Sequence, residues 1–137
     1  MKLSLELTVA TKPEWVVAVM ANLPSFLRDH ADCERKASAL AMSLVAKYPD
    51  RLEIIPELIA TGVEELEHFQ LVLDILADRG VPFSHPISSP WISGLMGTIR
   101  KGRHEQVIDH LLCAALIEGR SCEKFQLLAE ALGQVDA

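Results

Sequence analysis

Three stretches of this chain carry apolar residues at a spacing of three and four, and a carboxylate interrupts each stripe near its middle. The first runs Leu27, Ala31, Glu34, Ala37 or Ser38, Ala41, Val45. The second runs Leu58, Thr61 or Gly62, Glu65, His68 or Phe69, Val72, Ile75 or Leu76. The third runs Leu111, Ala114 or Ala115, Glu118, Cys122, Phe125, Leu128. That period predicts amphipathic helices whose apolar faces meet in a common core. No stretch sustains the alternation of a strand, so the expected class is all-α.

The order of punctuating residues sets the expected boundaries. Thr11-Lys12-Pro13-Glu14 has the form of a capping box and opens a short helix to about Ala21. Asn22-Leu23-Pro24-Ser25 resets the chain, and a long helix over 25–47 stops before Tyr48-Pro49. Asp50 with Glu53 forms a second capping pair, and the helix it opens runs to Arg79 and stops at Gly80. Residues 80–103, rich in proline and glycine, read as a long crossover with a short helix from Ser89-Pro90 to about Arg100. The last long helix covers 104–132 and ends at Gly133. No linker divides the chain, so residues 1–137 read as one domain.

Composition removes several classes of function. The longest uncharged apolar stretches fall short of a membrane span, and the first residues do not read as a signal peptide. Cys33, Cys113 and Cys122 are odd in number and show no CxxC spacing, which suits free buried thiols in a reducing cytosol. A formal net charge of −6 does not attract nucleic acid in bulk. A nucleic-acid partner would need a local basic patch, and Arg100-Lys101-Gly102-Arg103-His104 is the candidate. On charge alone the same cluster reads as a solvated turn between helices.

Surface glutamates belong on the polar face of an amphipathic helix, whereas Glu34, Glu65 and Glu118 fall on the apolar stripes. An ionised carboxylate buried without a partner costs several kcal/mol, and no lysine or arginine shares these stripes. A divalent cation relieves all three together. Glu65-Leu66-Glu67-His68 places a carboxylate and an imidazole side by side on one helix face, the Glu-x-x-His element of di-iron and di-manganese bundles. Glu34 lies 15 residues before Pro49 and Glu65 lies 16 after it. At a rise of about 1.5 Å per residue, an antiparallel pair brings them to nearly the same height. The expected ligands are therefore Glu34, Glu65, His68 and Glu118. Glu64 reaches His68 by i,i+4 spacing, but the stripe favours Glu65 and turns Glu64 and Glu67 outward. His30, one turn before Glu34, suits a hydrogen-bonding role behind the ligands. His85, His104 and His110 read as solvated or locally capping.

Three blocks of sequence carry a resemblance to a known family. They are Asp29-His30-Ala31-Asp32-Cys33-Glu34-Arg35-Lys36-Ala37, Glu64-Glu65-Leu66-Glu67-His68-Phe69, and Ala115-Leu116-Ile117-Glu118-Gly119-Arg120-Ser121-Cys122-Glu123-Lys124-Phe125. In this order they resemble the MiaE-like tRNA hydroxylases, ferritin-like non-haem di-iron monooxygenases, over roughly residues 24–132. The resemblance implies a ferritin-like helical bundle and hydroxylation of the isopentenyl group of a 2-methylthio-isopentenyladenosine in tRNA. It also implies an iron cofactor, an electron-donating redox protein as partner, and a cytoplasmic setting. By position Glu34 would be a terminal ligand, Glu65 a bridging one, and His68 would complete the first half-site. Glu118 would open the second half, and Arg100, Lys101 and Arg103 are the residues offered to tRNA.

The chain departs from that pattern at its end. The repeat of Glu34 to Glu65 applied to Glu118 places a second ExxH near position 149, and the sequence given has 137 residues. The expectation is three long core helices plus short ones, with the fourth core helix absent, from a fragment or a shortened and inactive relative. A second copy of the chain could cover the apolar groove so left. Two other readings stand beside it: a ferritin-like iron-binding or redox protein without organic substrate, and a non-enzymatic helical interaction module.

Overall fold

The computed structural model describes residues 7–84 and 89–135, and His85 lies outside them. Among the described residues five helices follow in order: α1 (Pro13–Ala21), α2 (Leu23–Lys47), α3 (Ile55–Asp78), α4 (Pro90–Met96) and α5 (Arg103–Val135). The fold is all-α, with no strand among the described residues. None of these helices is long and apolar enough to cross a membrane. The chain divides into two compact units, Asn22–Ser88 on one hand and Met1–Ala21 with Ser89–Ala137 on the other.

The 22–88 unit is an antiparallel pair, α2 against α3. Asn22 caps α2 by accepting from Ser25 N at 3.4 Å, and Pro24 sits in the first turn where a missing N–H costs nothing. At the other end Tyr48 closes the helix and is fully buried. Ala31 of α2 meets Val72 and Leu76 of α3 in a core extended by Leu27, Phe69, Leu73, Val81 and Phe83. Phe69 and Phe83 pack edge to face with centroids 5.7 Å apart. The end of α3 explains how Val81 and Phe83 reach that core. Gly80 adopts φ 66°, Gly80 N donates to Ala77 O at 2.9 Å and Val81 N to Leu76 O at 2.9 Å. This is a Schellman turn, and it folds Val81 back over Leu76.

In the other unit α5 receives α1 on one stretch and α4 on another. Thr11, just before α1, donates its N–H to Glu123 Oε1 at 2.6 Å and its hydroxyl to Glu123 Oε2 at 2.9 Å. Arg120 closes the cluster, donating to Thr11 Oγ1 at 3.2 Å and Glu123 Oε2 at 2.6 Å. Burial raises the Glu123 carboxyl, but the Thr11 N–H bond and its companions outweigh it and hold the pKa below the ordinary value. Lys124 lies over the Trp15 ring at 5.2 Å. Val19, Val107, Cys113 and Leu128 are buried.

Several boundaries differ from the sequence reading. Residues 52–54 form a turn, α3 starts at Ile55, and its N-cap Ile54 makes no side-chain bond. Pro56 decides this start, because proline suits the first helical turn and disfavours helix in the residue before it. Glu53 instead lies 3.4 Å from Arg51. Helix α4 stops at Met96, before a turn that runs into Arg100. Helix α5 passes through Gly133 to Val135, since a glycine ends a helix only when it turns left-handed. Cys122 is exposed rather than buried; all three thiols are free.

Candidate metal centre

The α2–α3 pair brings Glu34, Glu65 and His68 together, each offering a donor atom within 4.8 Å of the others. The helices achieve this because both residues of the ExxH element project from the α3 face beside α2, and Glu34 faces them from α2 at the same height. Glu65 is 8% exposed. Glu64 and Glu67 lie outside, both exposed.

The contacts assign each atom a direction. Glu34 Oε1 lies 3.0 Å from His30 Nε2, and Glu34 Oε2 lies 3.8 Å from His68 Nδ1. His68 Nδ1 is also 3.5 Å from Glu65 Oε2, while its Nε2 points out toward Glu64 Oε1 at 3.9 Å. His30 stacks on Phe26, centroids 6.0 Å apart and rings 5° from parallel, which holds the imidazole against Glu34. Burial pushes the Glu34 carboxyl up. Hydrogen bonds from His30 and Glu65, with the nearby His30 and His68 rings, outweigh that and leave its pKa below the usual value.

Two carboxylates largely withdrawn from water and a partly exposed imidazole are an oxygen–nitrogen donor set suited to first-row divalent metals. Glu34 has His30, His68 and Glu65 as its neighbours in these contacts. A cation between the two carboxylates removes the cost of holding both charges in a low-dielectric site. The residues present therefore fit a metal.

The remaining site candidates lie in the other unit. Glu118 is midway along α5 and exposed, as are Leu111, Cys122 and Phe125 of the same stripe. The stripe was expected to face inward. Val107 and Leu128, which continue the same stripe toward the two ends of α5, are buried, as is Cys113. Periodicity marks a face of a helix, not the stretch of that face a neighbour covers.

Arg100 is engaged rather than open: its N–H and Nε each donate to Asp109 Oδ2 at 2.9 Å, and Nη2 to Oδ1 at 2.7 Å. The Arg100 side-chain and backbone bonds hold Asp109 at a pKa of about 2. Lys101 and Arg103 are exposed. His110 is half-buried and His104 exposed.

Two features beside the candidate ligands were missed in the sequence. Asp32 is 2% exposed and carries Arg35 at 2.6 Å and Lys36 at 2.5 Å. Charges three and four residues apart on a helix were the available signal. Burial raises the Asp32 carboxyl, and the two cations bring it below its ordinary pKa. Burial also pushes the neighbouring Cys33 thiol up to about 11, with Asp29 and Asp32 adding to it, so the thiol stays protonated. The second feature is a buried contact between Ser38 and Gly62.

An all-α fold with carboxylates and an ExxH imidazole on paired helices defines the ferritin-like class of metal-binding proteins. The family model for tRNA-(MS[2]IO[6]A)-hydroxylase (MiaE) matches residues 2–136, and the chain belongs to that family. A tRNA 2-(methylsulfanyl)-N(6)-isopentenyladenosine(37) hydroxylase of Pseudomonas putida is 36% identical over 124 residues, covering 90% of this chain and 60% of the relative. Its namesake from Salmonella typhimurium is 27% identical over 173 residues, covering 90% of this chain and 64% of the relative. A solved structure, Protein 43 with aldehyde deformylating oxygenase activity from Synechococcus, superposes with a TM-score of 0.84 at 38% identity. That similarity covers 90% of this chain and 62% of the solved one. The chain thus spans about three fifths of the length of these relatives.

Proposed function

We propose that the chain binds iron through Glu34, Glu65 and His68 and acts in the oxygen-dependent hydroxylation of the isopentenyl group of a 2-methylthio-isopentenyladenosine in tRNA. The observation that carries this reading is the three-donor cluster on α2 and α3 in a chain of the MiaE family. Relatives named as hydroxylases of this modified nucleoside supply the substrate class. Iron bound there would supply oxygen activation: with two electrons from a redox protein and two protons, one atom of dioxygen would enter a C–H bond and the other would leave as water.

The residues of the chain have separate tasks. His30 donates to Glu34 Oε1 and so turns Oε2 toward His68. His68 presents Nδ1 to both carboxylates, and exposed Glu64 stands on its Nε2 side where it orients the ring. Glu118 is the carboxylate offered to a second iron. Lys101 and Arg103 are the cations offered to the tRNA backbone, with Arg100 braced by Asp109 between them and α4. A cytoplasmic setting follows from the substrate.

The test is mass analysis of tRNA carrying the unhydroxylated nucleoside, incubated with iron-loaded protein, a reductant and oxygen. The reading expects a gain of about 16 mass units, one oxygen atom, in the modified nucleoside, and loss of that gain in Glu65→Ala. No gain with iron-loaded protein contradicts the hydroxylase reading.

A further inference from the structure

One turn beyond the carboxylates, toward the α2–α3 connection, the two helices are joined through a buried contact. Ser38 Oγ donates to Gly62 O at 2.8 Å. Ser38 follows Glu34 by four residues on α2, and Gly62 precedes Glu65 by three on α3. In an antiparallel pair both steps run the same way along the axis, so the contact sits on one side of the carboxylate pair. Both residues are buried.

Gly62 leaves little room beside α2. A Cβ there would touch Ala41 Cβ at an ordinary 3.5 Å and displace only Met42 Cε, the flexible end of an exposed side chain, at 2.5 Å, so a side chain larger than alanine is what would press on α2. The serine is unusual in its partner. A hydroxyl inside a helix commonly bonds back to a carbonyl of its own preceding turn, whereas this one crosses to the neighbouring helix. A bond of that kind favours one axial register, and a small residue at 62 permits the close approach of α2. Both quantities determine how far apart Glu34 and Glu65 hold their oxygens.

We propose that Ser38 and Gly62 are positioning residues that set the register and spacing of Glu34 and Glu65, and thereby the coordination geometry of the cation the two carboxylates share. The proposal rests on the reading of Glu34, Glu65 and His68 as metal ligands.

Cobalt(II) titration of the full chain under anaerobic conditions tests it, read as the visible ligand-field spectrum and the dissociation constant. Helical content and thermal midpoint are followed in parallel. Ser38→Ala should alter the spectrum and weaken binding about tenfold, while Ser38→Thr, which restores the hydroxyl, stays within about twofold of the parent. Gly62→Val should alter the spectrum in a chain that keeps its helical content, and it carries the test should Ser38→Ala fail to fold. A parent that binds no cobalt overturns both the ligand reading and the spacer. A parent that binds cobalt, with folded Ser38→Ala or Gly62→Val matching its spectrum and affinity, overturns the spacer alone.

Discussion

His30 Nε2 lies 3.0 Å from Glu34 Oε1, one turn away on the same helix, and this contact leaves Oε2 of Glu34 to face His68. The carboxylate is thereby held in one orientation before any metal arrives. Preorganisation of this kind raises affinity because the ligand loses less rotamer freedom on binding.

His30→Ala is therefore expected to weaken iron(II) or cobalt(II) binding by about 10- to 100-fold without abolishing it, since the donor atoms remain. Metal titration of the folded variant measures this. Unchanged affinity would remove His30 from the account of the site.

Leu76 is 1% exposed in the α2–α3 core, and Val81 folds over it through the Gly80 turn. Leu76→Ala should cost about 2–5 kcal/mol of stability by denaturant unfolding. Gly80→Ala should cost about 1 kcal/mol, because φ 66° disfavours any residue with a Cβ.

Arg100 and Asp109 should show their pairing through pH. Asp109 has a folded pKa of about 2 against an ordinary 3.8. A depressed carboxyl stabilises the fold fully above the ordinary value, and that contribution fades as pH falls from about 4 toward 2. An NMR titration of the Asp109 carboxyl should find its midpoint near 2 in the parent and closer to 3.8 in Arg100→Gln. A parent midpoint at 3.8 would contradict the bidentate contact.

Much of the candidate metal site was legible in the sequence for a physical reason. A carboxylate on an apolar stripe is costly, so Glu34 and Glu65 stand out against Ala31, Ala41, Val72 and Leu76. The turn at Pro49 fixes their height. Glu118 was harder to place, because periodicity marks a face of α5 and not the stretch of it that α1 and α4 cover. Thr11 illustrates a different blind spot. Its sequence context is that of a local cap, yet its hydroxyl goes to Glu123, more than a hundred residues away. Long-range polar partners such as this, or Ser38 with Gly62, leave no periodic trace.

The central claim is that the inward carboxylates of α2 and α3 hold a metal. Iron content after anaerobic iron(II) loading and desalting tests it most directly, compared among the parent, Glu65→Ala and Glu67→Ala. The account predicts iron retained by the parent and by Glu67→Ala, whose residue is exposed, and lost from Glu65→Ala, whose residue is buried beside Glu34. A parent that retains no iron, or two variants that behave alike, would contradict it.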